Sequence, residues 1–201
     1  MVGVIAILVT LMSAGISLLN GTGSQSRKAG TDLLSGLIEQ ARTTAITSRS
    51  HVILAIAEPG DLPDSDERCR ISLFRVDEEW PDAATTPAPL KCTQLNRWQT
   101  LNTGVVLLPG DGDGSNPLDQ NEITIVYGGD KNLSVKAHAL AFNSRGGLHY
   151  PAGSAPVEMR IAEGGYRGGP PKPNLRAGQT KPTENRLKIG RITARPYQIG
   201  G

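Results

Sequence analysis

Residues 33–56 read LLSGLIEQARTTAITSRSHVILAI, and the fold turns on a change of period inside them. In the first part, apolar side chains recur at Leu33, Leu34, Leu37, Ile38, Ala41, Ala45 and Ile46. That spacing of three and four draws one stripe along a helix, expected from about residue 26 to 49 and packed on the chain's own head. At His51 the period switches. HVILAIA is a β-branched run that Glu58, Pro59 and Gly60 bring to a stop.

Working downstream, strand-like runs follow at 69–76 (CRISLFRV), 104–110 (GVVLLPG), 122–129 (EITIVYGG), 137–144 (AHALAFNS), 157–162 (VEMRIA) and 185–194 (NRLKIGRITA). With the run at His51 they make seven short strands after one helix, and no helical stretch lies between them. The expected class is α+β: a long N-terminal helix, apolar then amphipathic, packed on an antiparallel β-sheet or β-sandwich head. With 24 Gly, 14 Pro and 4% aromatic residues, the composition favours many turns and so a β-rich body over 51–201. Segment 77–92, DEEWPDAATTPAPLKC, reads as an excursion between strands. Cys69 and Cys92 are a candidate disulfide that would tie it down, closing roughly 24 residues for about 3 kcal/mol. Two free buried thiols are the alternative.

Working upstream, MVGVIAILVTLMSAGISLLN has no charged side chain, and the first charge is Arg27. A signal peptide requires a basic start, which is missing, although Ser13, Ala14 and Gly15 could pass for a cleavage site. A spanning helix requires about 20 apolar residues, which 1–19 barely supply. The pair Arg27–Lys28 would then place the body in the cytoplasm by the positive-inside rule, so something that fixes orientation is expected before Met1. Asn20-Gly21-Thr22-Gly23-Ser24 reads as a flexible break, and Gly30 with Thr31 and Asp32 as a capped restart. The division is therefore an apolar segment, 1–23, and a head, 24–201.

These residues resemble the GspH/FimT family of type II secretion pseudopilins and minor type IV pilins. Ala41, Arg42, Ala45, Ile46, Val52 and Leu54 are similar to its helix end and first strand. RWQTLNTGVVL (97–107) is similar to its Trp-then-Leu-Pro-x-Gly segment, with Asn102 in place of Pro. Phe142 and Gly146 in LAFNSRGGL resemble its Phe-x-x-x-Gly strand end, and Gly190 and Arg191 in LKIGRITARP its closing strand. The resemblance implies a structural minor subunit in the bacterial inner membrane, single-pass with its head in the periplasm, that assembles into a filament to support secretion. Val2, Val4, Ile5, Ile7, Leu8, Leu11, Ile16, Leu18 and Leu19 would form the membrane and filament-core helix. Its partners would be other pilin or pseudopilin subunits, inner-membrane lipid before assembly, and secreted cargo. VGVIAIL is similar to a later part of the family's apolar helix, which places the leader, the cleaved Gly and the Glu of the mature start before Met1.

Three features bear on more specific chemistry. Asp111, Asp113, Ser115, Asp119 and Glu122 fall at calcium-loop positions 1, 3, 5, 9 and 12, but Asn116 stands where Gly is demanded and the flanks are strand-like. A Ca²⁺ site or a solvated acidic turn both fit, and no other cofactor is expected. Residues 167–195 carry eight basic side chains against Glu184 alone. Arg186, Lys188, Arg191 and Arg195 are the candidates for binding DNA, which the family resemblance makes an alternative function. On a regular strand the first two face one way and the last two the other. The net charge of +2 does not by itself imply nucleic acid. His51, His138 and His149 lack metal-ligand spacing, and neither a nucleophile elbow nor a phosphate loop is present, so an enzyme is not expected. An exported β-sandwich with a signal peptide is a further alternative.

Overall fold

The computed structural model describes residues 2–62, 67–80, 89–112 and 115–199, with side chains described from Ser24 onward. Helix α1 runs unbroken from Val2 to Ser48. The expected interruption at 20–24 and the restart at Gly30 are both corrected. Gly costs a helix about 1 kcal/mol against Ala but does not forbid it. Gly30 is buried, and a Cβ there would lie 3.1 Å from Val105, so its use is close approach to a strand. The helix stops where Arg49 turns left-handed, at φ 53°.

Among the described residues twelve strands follow: β1 (Val52–Ala57), β2 (Arg70–Val76), β3 (Leu90–Gln94), β4 (Gln99–Thr100), β5 (Val105–Leu108), β6 (Ile123–Tyr127), β7 (Leu133–Phe142), β8 (Leu148–Tyr150), β9 (Val157–Tyr166), β10 (Pro171–Pro173), β11 (Glu184–Ile189) and β12 (Pro196–Ile199). In the first sheet β1 pairs with β2, β2 with β3, β3 with β6, β6 with β7, and β7 again with β1. Five strands thus close into a barrel. The β3–β6 contact is parallel, and β4 and β8 hang from the ring. A second sheet has the order β10-β9-β11-β12, with β5 also on β9.

This corrects the expected fold class. The molecule is mostly β and built on a closed barrel; it is not an α+β helix laid on an open antiparallel sheet or sandwich. The strand that closes the barrel, β3, starts at Leu90, in the last three residues of the segment that reads as an excursion, and runs on to Gln94. Lys91, Thr93 and Gln94 gave it no alternating apolar signal, and only Leu90 and Cys92 point inward. Conversely, the expected strand at 185–194 ends at Ile189, and 190–194 form a turn.

The strand β1 alternates between two cores. Ile53, Ala55 and Ala57 join Phe74, Ile123, Ile125, Ala137, Ala139 and Ala141 inside the barrel. A ring of only five strands leaves little interior, and the alanines of β1 and β7 let Phe74 fill it. Val52, Leu54 and Ile56 point outward into a second core shared with β5, β9, β11 and α1. Both faces of β1 are therefore covered, which is why its sequence is apolar without alternation.

Cys69 and Cys92 are both free and buried, which corrects the candidate disulfide. Cys92 stands opposite Val76, seven residues along the chain from Cys69. At about 3.3 Å per residue that is roughly 23 Å, far beyond the reach of a bridge. The Cys69 thiol instead donates to the Tyr166 hydroxyl at 2.8 Å, which also accepts from the Leu107 amide at 3.2 Å. Burial pushes each thiol up to about 12. Ellman's reagent at pH 8 is therefore expected to find no reactive thiol in the native protein and two after denaturation; prompt reaction of either in the folded chain would contradict this packing.

Candidate assembly site: the helix and its seat

The second half of α1 lies between the barrel wall and the second sheet. Leu34, Leu37, Ile38, Ala41 and Ala45 are buried in the outer core, and Leu33 packs partly buried against it. Ile46 departs from that set: it is 39% exposed and lies over Gly146 at the rim. The alanines matter as much as the leucines, because small side chains let a helix approach two sheets at once.

A polar clamp fixes the start of this seat. The Arg27 guanidinium donates to Glu163 Oε1 at 2.8 Å, to Asn185 Oδ1 at 3.1 Å and to the Thr183 carbonyl at 3.4 Å. Asn185 donates in turn to the Thr31 hydroxyl at 3.0 Å, and that hydroxyl donates back to the Arg27 carbonyl at 2.9 Å. Thr31 and Asn185 are buried, and the Arg27 and Glu163 side chains are only 12% and 19% exposed. In the sequence Arg27 reads as a flanking charge; no local pattern announces a partner 136 residues away. At the far end Arg42 donates to the Thr193 carbonyl at 2.6 Å. Helix and head are thus joined by apolar contact in the middle and by arginine at both ends.

The other candidate residues fall elsewhere. Side chains of the apolar set Val2, Val4, Ile5, Ile7, Leu8, Leu11, Ile16, Leu18 and Leu19 lie outside the described residues, as does Asp113. Among the described residues no helix is long and apolar enough to cross a membrane. In the acidic loop Asp119 accepts from the Gly110 amide at 3.0 Å, and Asp111 pairs with Arg160 at 2.9 Å. Asn116 caps the 3-10 turn Pro117–Asp119 and donates to the Leu108 carbonyl at 2.9 Å. Ser115 lends its carbonyl to the Glu158 amide at 3.1 Å. The acidic and amide side chains at 111, 116 and 119 are thus committed to the chain itself. Among the described residues no three His, Cys, Asp or Glu side chains converge as a metal site.

The basic candidates do not form one patch. Arg186 bonds Glu184 at 2.7 Å and Glu158 at 3.1 Å, and Lys188 lies 3.5 Å from Glu158. With Arg160 they line a groove of about 640 Å³ in which most basic side chains are paired with carboxylates of Asp111, Glu158 and Glu184. Arg191 instead donates to the carbonyls of Ala155, at 2.6 Å, and Pro151. Arg195 is exposed at the far side of the same turn, its carbonyl accepting from the Gly190 amide at 3.5 Å.

Two histidines meet where β1 begins. The rings of His51 and His149 lie 4.8 Å apart, with Trp80 5.9 Å and 5.6 Å from them. Burial, then the charge of His149, holds His51 below its ordinary pKa. The unfolded chain therefore binds the proton first. The stability that neutral His51 contributes is complete above about pH 6.5 and is lost as pH falls below it. At the other end of β1, burial pushes Glu58 and Asp61 up, with the opposite sign: their contribution is lost as pH rises through their raised values. Urea midpoints at pH 7 and pH 5 check the first effect. His51→Gln is expected to flatten the fall between them, and an unchanged slope would remove His51 as its source.

No family model, curated protein or solved structure matches the chain.

Proposed function

We propose that this chain works by assembly: it is a minor structural subunit of a pseudopilus- or pilus-like filament. Its N-terminal helix is held among neighbouring subunits, and its β head is carried outside. The supporting observation is the seat of α1. A helix of 47 residues spans about 70 Å, and its second half is locked into the head by five buried apolar side chains and two arginine contacts. Force or position applied to the helix is therefore transmitted to the head without a hinge at the junction. The uncharged first twenty residues suit the apolar centre of such a filament and inner-membrane lipid before assembly. Support for protein secretion and a periplasmic head follow from the family resemblance and belong to the same proposal.

The test is fractionation and crosslinking of the full chain in a Gram-negative host that makes a pseudopilus. A Leu8→Cys variant is expected in the membrane fraction and in crosslinks to other pilin-type subunits. Recovery only as an uncrosslinked soluble species would overturn the reading. DNA uptake has less support, because Arg186 and Lys188 are already paired with carboxylates.

A further inference from the structure

Residues 164–183, GGYRGGPPKPNLRAGQTKPT, carry Arg167, Lys172, Arg176 and Lys181 and no acidic side chain. The course of this segment ties it to the helix. Strand β10 turns back along the end of β9, with Lys172 opposite Gly165 and Pro173 opposite Gly164. The Asn174 amide then donates to the Glu163 carbonyl at 2.7 Å, and the segment ends where the Thr183 carbonyl accepts from Arg27. Glu163 and Thr183 both belong to the clamp on Arg27, the first charge of the chain. The segment therefore starts and finishes beside the point where the uncharged part of α1 meets the head.

Along the hairpin runs a groove of about 250 Å³, lined by Gly164, Gly165, Arg167, Lys172, Pro173 and Asn174. Gly164 forms its tight side, since a Cβ there would collide with the Lys172 carbonyl, whereas the space over Gly165 is open. The side chains of Arg167, Lys172 and Asn174 are exposed and make no hydrogen bond or ion pair among the described residues. Two cations and one amide thus face a groove whose lining holds no carboxylate.

The surroundings keep that excess. Lys28 and Arg176 are exposed and likewise without a carboxylate partner among the described residues. Glu163 is held by Arg27, and Glu184 by Arg160 and Arg186. The acids left on the flanks are Asp32, one turn on from Lys28, and Glu67, two residues before the Cys69 that meets Tyr166. Lys181 faces the other groove, with Asp111, Glu158 and Glu184. Leu175, 55% exposed, stands between Asn174 and Arg176.

The contrast between the two grooves decides what each can take. The groove at Arg160 and Arg186 is filled by the chain's own carboxylates; the one at Arg167 and Lys172 is open to an anion from outside. A guanidinium beside an ammonium suits phosphate oxygens. Basic residues next to a lipid-held helix are drawn to anionic headgroups, and an exposed leucine among them suits the same interface. We propose that the Arg167–Lys172 groove binds the phosphate of an anionic phospholipid, so that the head lies on the bilayer that holds the helix before assembly. This rests on the reading of the uncharged helix as held by inner-membrane lipid.

The experiment follows the full chain, diluted from non-ionic detergent, onto vesicles of phosphatidylcholine alone or with phosphatidylglycerol, read by flotation. Both vesicles are expected to bind it through the helix. At about 50 mM NaCl the anionic vesicles are expected to bind at least about tenfold more tightly, and the excess to vanish at about 500 mM. Arg167→Glu with Lys172→Glu is expected to remove the excess and leave binding to phosphatidylcholine unchanged. Arg167→Lys with Lys172→Arg is expected to keep it. Equal binding of wild type to the two vesicles, or an excess that survives the double reversal, would overturn the groove and leave the helix reading standing. Binding to anionic vesicles alone would keep the groove and overturn the lipid-held helix. Release by millimolar inorganic phosphate at constant ionic strength would assign the groove to soluble phosphate and overturn the proposal. So would tighter binding to a duplex of about 30 base pairs than to anionic vesicles, which would assign it to nucleic acid.

Discussion

Ile38→Asp is expected to lower the stability of the folded chain by about 5 kcal/mol or more, enough to unfold a typical domain of this size. Ile38 is fully buried in the core that α1 shares with the barrel and the second sheet. Removing its side chain alone costs about 2–5 kcal/mol, and an unpaired carboxylate in the same place adds several more. The nearest cation along the helix, Arg42 one turn on, is already engaged by the Thr193 carbonyl and Glu39, and the neighbours on the stripe itself are Leu34, Leu37, Ala41 and Ala45. Gln40→Asp, two residues away on the exposed face, is expected to cost within about 0.5 kcal/mol. Urea unfolding followed by Trp80 and Trp98, which lie in or against the barrel interior, separates the two. Equal midpoints for the two variants would mean that the helix is not part of the core.

The second large effect concerns the clamp. Arg27→Met strands Glu163 and Asn185 half-satisfied beneath the helix and is expected to cost about 2–4 kcal/mol, as is Glu163→Gln to a lesser degree. The pair should be strongly non-additive. A double variant, Arg27→Met with Glu163→Leu, removes both charges and is expected to recover at least about 1 kcal/mol of the summed loss. With side chains 12% and 19% exposed, the interaction should also change little between low and high salt. Strict additivity in the cycle would show that the two side chains do not interact in solution.

Much of the local structure was legible. Residues 51–57, 69–76 and 157–162 are apolar and β-branched enough to be strands in almost any context, and the structure has strands there. The stripe Leu34, Leu37, Ile38, Ala41 and Ala45 lies on one helical face because its spacing allows nothing else. Three features were not legible. Strand β3 has two inward apolar residues and three polar ones, so its extended form comes from hydrogen bonds to β2 and β6 rather than from its own composition. The continuity of α1 across 20–24 defeats a local argument, since weak helix formers lower helix stability without setting a boundary. The place of Arg27 was hidden because its partners come from β9, β11 and the residue before β11.

The same division holds for the candidate surfaces. Acidic residues at 111–122 imitate a calcium loop in one dimension, whereas in three dimensions Asp111 faces Arg160 and Asp119 caps a backbone amide. Basic residues at 186–195 look like one patch and are split between a neutralised strand face and an exposed turn. By itself, the sequence determined the secondary-structure periods: a helix with one apolar stripe, then strands, then turns at Gly and Pro. These follow from side-chain spacing and backbone preference, which are properties of neighbours along the chain. Only the tertiary structure decided that five strands close into a ring and that the helix is clamped between barrel and sheet, with Arg27 and Glu163 brought together beneath it. Each of those depends on which distant backbone edges and charges meet, and the closing strand, β3, carries too little apolar signal to announce its neighbours.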